Sequence, residues 1–107
     1  MTNTDHFSSE NKTLNSTLIS RGKNCRETEL EGEVVLLDLS TDMFVSLDPI
    51  GSSIWKLLEP PITFSALCKN LMEEYDVEEN VCRADVLSFL KDLSENGLIT
   101  AKNNTND

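Results

Sequence analysis

Apolar positions along this chain follow two rhythms. From Glu33 to Asp38 (EVVLLD) four of them, Val34 to Leu37, run without a break, the pattern of a strand covered on both faces. Met43 to Leu47 (MFVSL) has the aromatic and β-branched letters of another strand, and Ser40-Thr41-Asp42 between the two reads as a turn. Upstream, Glu31-Gly32 predicts a tight hairpin that leads back to a first strand opening near Cys25. In such a meander the middle strand has two neighbours. The third, Met43 to Leu47, keeps a free edge unless something else covers it.

After Leu47 the period changes to 3.6. Asp48-Pro49 is a helix start, with Asp accepting from first-turn amides and Pro at a position that has no amide to satisfy. The helix it opens runs to about Leu58, burying Ile50, Ile54, Leu57 and Leu58, with Trp55 as an anchor and Gly51 leaving room for another backbone. Pro60-Pro61 stops it. Thr63 or Ser65 caps a second helix, whose stripe is Phe64, Leu67, Cys68, Leu71, Met72 and Tyr75. A third spans about Glu78 to Asn96 and closes on Gly97, with Leu98-Ile99 folding back as a hydrophobic contact or a short extra strand. On that helix Cys82, Val86, Leu87, Phe89, Leu90 and Leu93 cover an arc of about 160°, wider than the roughly 100° one docking surface needs. The excess suggests a lining for something else.

Neither rhythm holds at the ends. From Met1 to about Arg21 the residues are mostly polar and the sparse apolar ones keep no period. The expectation is a disordered polar tail over residues 1–24, one domain over 25–101 and a second tail over 102–107. The domain is of the α+β class and winged-helix-like: a three-stranded antiparallel sheet followed by three helices.

Charge and composition narrow the function. The 107 residues carry 19 acids against 9 bases, a formal net charge of −10, a field that repels nucleic acid and anionic lipid. A winged-helix DNA binder would insert the third helix into a major groove, yet that helix carries Glu78, Glu79, Asp85, Asp92 and Glu95 against only Arg83 and Lys91. No apolar stretch approaches a membrane span and no signal peptide is visible, so a cytoplasmic protein is expected. The three cysteines, Cys25, Cys68 and Cys82, form no CxxC pair and read as reduced thiols, the latter two in the core. His6, the only imidazole, falls in the tail, which argues against a nucleophile-base pair and against zinc. No glycine-rich phosphate loop exists. Glu73-Glu74 and Glu78-Glu79 at helix ends read as solvated. The chain thus reads as a binding module, without catalytic residues, cofactor or metal.

Two blocks carry a family resemblance: VVLLDLSTDMFVSLDPIGSSIWKLL (Val34 to Leu58), and EEYDV (Glu73 to Val77) leading into RADVLSFLKDLSENGLI (Arg83 to Ile99). Together they resemble the pyrroloquinoline quinone biosynthesis protein D (PqqD) family, whose domain is also called the RiPP precursor recognition element. The likeness spans about residues 26–99. It implies three strands followed by three helices, and a domain that binds the leader of a ribosomally made precursor peptide and presents it to modifying enzymes. In that family the leader adds as a strand to the edge of the third strand and lies against the third helix. Carried over, this implies peptide contacts at Phe44, Val45, Ser46 and Leu47 of the strand and at Arg83, Asp85, Val86 and Phe89 of the helix. Val86 and Phe89 could equally be core, and Arg83 and Asp85 a solvated turn. The implied partners are a precursor leader peptide and a RiPP-modifying enzyme such as a leader peptidase. The free edge allows a monomer or a weak dimer. Among stand-alone members the chain is most similar to the leader-binding subunits of lasso peptide systems. The carrier of the quinone pathway is the alternative, and a protein-interaction domain without a peptide-modification role is a third reading.

Overall fold

The computed structural model describes residues 11–103. Its elements run α1 (Asn11–Ser16), β1 (Thr17–Arg21), β2 (Cys25–Leu30), β3 (Glu33–Asp38), β4 (Met43–Ser46), α2 (Pro49–Leu57), β5 (Ile62–Thr63), α3 (Phe64–Glu74), α4 (Glu79–Glu95) and β6 (Ile99–Asn103). The α+β class, the meander and the three helices are those expected. The strands, however, form two antiparallel three-stranded sheets, ordered β2-β3-β4 and β5-β1-β6.

The meander turns where its residues dictate. Glu31 (φ 55°) and Gly32 (φ 85°) both take left-handed backbone, the geometry that lets a two-residue hairpin follow the twist of its strands. At the other turn Asp38 Oδ1 accepts from the Ser40 hydroxyl at 2.7 Å and the Ser40 N–H at 3.0 Å, while its carbonyl accepts the Asp42 N–H at 2.8 Å. Val34 and Leu36 are fully buried. Val35 and Leu37, expected to be covered too, are only half-buried. They share the outer face with Arg26 and Phe44, directly opposite Leu37 in register, because the helices cover one side of this sheet and leave the other to solvent.

Helix ends match their residues. Asp48 Oδ1 accepts the Gly51 N–H at 2.7 Å at the start of α2, and Thr63 Oγ1 accepts the Ala66 N–H at 3.2 Å at the start of α3. At the C-terminus of α4, Gly97 (φ 74°) allows the Leu98 N–H to reach the Leu93 carbonyl at 2.9 Å and the Gly97 N–H the Ser94 carbonyl at 3.0 Å. Both expectations for Leu98-Ile99 are met: the cap contact forms and β6 begins at Ile99. Buried Ser52 ties α2 to the meander, its Oγ accepting the Val34 N–H at 2.9 Å and donating to the Leu47 carbonyl at 3.2 Å.

The N-terminal boundary requires correction. Residues 11–24, expected to be tail, include α1 and β1, the central strand of the second sheet, with Leu14 and Ile19 in the core. A five-residue strand that pairs on both sides needs few apolar letters, since backbone bonds to β6 and β5 hold it and one fully buried Ile contributes about 1.5–3 kcal/mol. No periodicity can be read in so short a segment. Gly22 follows β1 where the chain meets the end of α4: its N–H reaches the Leu98 carbonyl at 2.8 Å, and a Cβ there would lie 2.9 Å from the Gly97 and Leu98 carbonyl oxygens. Arg21 joins the halves. Its guanidinium meets Glu27 and Glu59, each at 2.7 Å, donates twice to the Trp55 carbonyl and lies 4.8 Å from the Trp55 ring centre. Lys102 and Asn103, expected to open the second tail, belong to β6. The remaining tail expectations, and His6, lie outside the described residues.

One core results, centred on Trp55, Phe64, Leu36, Leu67, Leu90 and Ile19. The Trp55 indole N–H donates to Glu27 Oε1 at 2.9 Å. Cys68 and Cys82 are buried free thiols, and burial, reinforced by Cys82, pushes the Cys68 thiol up to about 12. Such groups act as small hydrophobes. Among the described residues no helix is long and apolar enough to cross a membrane.

Candidate functional site

Among the described residues β4 pairs with β3 alone. One bond sets the phase of its backbone: the Leu47 N–H reaches the Val34 carbonyl at 2.9 Å. In an antiparallel pair bonded and non-bonded residues alternate. Val45 therefore directs its backbone polar groups toward β3, while Phe44 and Ser46 direct theirs away from it, into the open edge. Side chains alternate too. Val45 packs on the core, whereas the Phe44 ring, 69% exposed, stands on the solvent face.

Two residues beyond β4 a cleft of about 400 Å³ opens between the first turns of α2 and the exposed face of α4. Ile50, Ile54, Leu71, Val86 and Phe89 make it apolar, Tyr75 and Val77 line it with them, and Asp48, Asp85 and Asp92 contribute carboxylates. Tyr75 is fixed by a 2.8 Å hydrogen bond between its hydroxyl and that of Ser53. Phe89 lies over Gly51, whose missing side chain makes space for the ring. The free edge and the cleft are neighbours along the chain, since β4 ends at Ser46 and Asp48 already lines the recess, and an open strand beside an apolar recess is what strand addition with side-chain pockets uses.

The residues singled out from sequence divide among several places. Phe44, Val45 and Ser46 form the open strand. Leu47 lies just past it, 4% exposed, with its N–H on Val34 and its carbonyl on Ser52. Asp85, Val86 and Phe89 line the cleft. Val86 is buried as core and lining at once, and Phe89 is half-buried. Arg83 faces elsewhere: its guanidinium sits 5.0 Å from the Phe64 ring centre, joining α4 to α3. Sequence reasoning missed Asp48, Ile50, Tyr75, Val77 and Asp92. Ile50, expected to be buried with the helix stripe, is 51% exposed. Asp92 could have been found from spacing, since residues 85, 89 and 92 share one helical face. Among the described residues no cluster of three His, Cys, Asp or Glu is placed to hold a metal.

Comparison with known proteins agrees with this architecture. No curated protein sequence matches the chain. Among solved structures the fold is similar to TbiB1 in complex with the TbiA(beta) leader peptide, with a TM-score of 0.71 and 28% identity over 82% of this chain and 99% of that one. A lasso peptide synthetase B1 complexed with the leader peptide has the same fold, with a TM-score of 0.67 and 22% identity over 76% of this chain and 95% of that one. The family model of coenzyme PQQ synthesis protein D matches residues 33–99, from the start of β3 to the start of β6. The chain is therefore a member of the PqqD family.

Proposed function

We propose that this protein binds the leader segment of a ribosomally synthesised precursor peptide as an added strand on β4 and presents it to modifying enzymes, with no catalytic step of its own. The observation that carries the reading is an unpaired β4 edge followed, two residues on, by the first residue of an apolar cleft against α4. The Phe44 and Ser46 backbones supply the pairing. Val86 and Phe89 receive a side chain, and Asp85 stands at the rim. Leu47 and Arg83 act indirectly, Leu47 by holding the end of β4 and Arg83 by holding α4 on α3. The 28% identity to TbiB1, solved with a leader peptide, supports leader binding; the sequence resemblance favours a lasso-type system over a carrier in the quinone pathway, with a leader peptidase as the expected recipient. The chemistry of β4 and the cleft needs neither a cofactor nor a metal.

The test is a titration of 15N-labelled protein with the leader of the precursor encoded beside its gene. Amide shifts confined to Phe44, Ser46 and the 82–92 face of α4 are the expected result. Saturable binding that leaves β4 unperturbed would refute strand addition. No binding up to about millimolar concentration, only −4 kcal/mol of affinity, would remove the reading altogether.

A further inference from the structure

We propose that the cleft selects a guest whose bulky apolar anchor is accompanied, two residues away, by a lysine or arginine. The inference rests on the peptide-binding reading and adds to it the charge of the peptide. Asp48, Asp85 and Asp92 line an otherwise apolar recess, and no Lys or Arg lines it with them. Among the described residues the side chains of Asp85 and Asp92 have neither an ion pair nor a hydrogen bond, and Asp48 spends one oxygen on the Gly51 N–H. The cations that do form pairs are held elsewhere, Arg21 by Glu27 and Glu59 and Lys56 by Glu29.

The spacing is specific. Asp85 and Asp92 are two helical turns apart, roughly 10 Å along the axis, and Phe89 lies between them on the same face. An apolar side chain resting on Phe89 has a carboxylate on either side. In an extended guest the next side chain on that face is two residues on, about 6.8 Å away, within reach of one carboxylate for a long cationic side chain. An acid at that position would meet like charge on a surface already carrying a net −10. Exposed ion pairs are weak in water, but seating the anchor excludes solvent beside these carboxylates and lessens the screening.

The experiment is a selection of randomised peptides of about ten residues, long enough for one added strand, displayed on their encoding RNA and panned against the full chain. Enriched sequences should place Lys or Arg two residues from a large apolar residue, with Asp and Glu depleted there. Each contact should be worth roughly two- to fivefold. D85N/D92N should abolish the preference, and E31Q/E33Q, which removes the same charge at the β2–β3 hairpin, should keep it. Panning wild-type protein in high salt gives an independent readout that needs no variant, and there too the preference should shrink. Apolar anchors enriched without flanking bases, or a preference lost equally in both double variants, would overturn charge selection at the cleft while leaving peptide binding intact. If no sequence is enriched, the proposal and the reading beneath it both fall.

Discussion

Phe89 on α4 packs against the bare backbone of Gly51 on α2: a methyl group at position 51 would lie 3.0 Å from the ring edge and 3.1 Å from Asp48 Oδ1. The contact joins the two walls of the cleft. Gly51→Ala must displace the ring, which is only half-buried and can swing into the recess. Helix propensity favours alanine by up to about 1 kcal/mol and offsets the crowding. The expected outcome is a urea midpoint shifted by no more than about 1 kcal/mol together with roughly tenfold weaker peptide binding, equivalent to about 1.4 kcal/mol of contact. Unchanged affinity by calorimetric titration would show that the ring has no part in recognition.

The phase of β4 separates two proline substitutions one residue apart. The Ser46 N–H points to the open edge, so Ser46→Pro leaves the β3–β4 ladder intact, as proline does where a strand edge faces solvent. The Val45 N–H points to β3, and Val45→Pro breaks a ladder bond. Ser46→Pro should fold with a near-native circular dichroism spectrum and bind a leader at least about tenfold more weakly, whereas Val45→Pro should lose about 1–3 kcal/mol of stability for the ladder carbonyl it leaves unpaired. If Ser46→Pro binds normally, the peptide does not pair with β4.

These predictions rest on features that differ in how openly the residues announce them. Asp48-Pro49, Thr63, Gly97 and the apolar stripes of α2, α3 and α4 are short-range signals, decided within one or two helical turns, and each could be read directly. The open edge of β4 followed from meander connectivity alone. Other features depend on partners distant in sequence: β1 is a strand because β6, about 80 residues later, pairs with it, and nothing in Thr17 to Arg21 reveals that. The unbroken Val34 to Leu37 run misled for a similar reason, since covering its outer face would need a further layer that the described residues do not provide. Arg83 belonged to a promising run of α4, but a helix presents several faces and only packing decides that this one meets Phe64.

Ser52 offers a test of the hinge between meander and helices. Its buried hydroxyl accepts the Val34 N–H and donates to the Leu47 carbonyl. Ser52→Ala removes both bonds and leaves a buried donor unpaired, a loss of about 1–3 kcal/mol. Urea denaturation should show that loss. Hydrogen exchange at the Val34 amide should accelerate more than at Leu36, one ladder step away, and equal acceleration would point to global destabilisation instead.

Asp38 predicts a dependence on acid. Hydrogen bonds from the Ser40 hydroxyl and N–H, with help from Thr41, hold its carboxyl below the ordinary carboxylate range. When the folded-state value is the lower one, the stabilisation is complete above the unfolded value of about 3.9 and disappears as pH falls through the folded value. Asp38→Asn removes the titrating group, so the variant should be less stable than wild type near neutrality and should lose less on going from about pH 4 to strongly acidic solution. Urea midpoints measured across that range check it, and parallel curves for the two proteins would exclude Asp38 as a source of the acid response.

A shortened chain beginning at Cys25 contains everything in the PqqD family match, yet it should not fold. It lacks β1, which leaves β5 and β6 without the strand between them, and it loses the core contacts of Leu14 and Ile19. It also deprives Glu27, Glu59 and the Trp55 carbonyl of Arg21. Two buried aliphatic side chains at about 1.5–3 kcal/mol each, together with a lost strand, are comparable to the whole 5–15 kcal/mol stability of a typical domain. Arg21→Ala in the full chain should cost less, about 1–3 kcal/mol, because its bonds are partly exposed and β1 remains in place. The expected order of thermal midpoints is wild type, then Arg21→Ala, with no cooperative transition in the shortened chain. A cooperative transition there close to that of the full chain would mean that the second sheet is dispensable and that residues 25–101 stand alone after all.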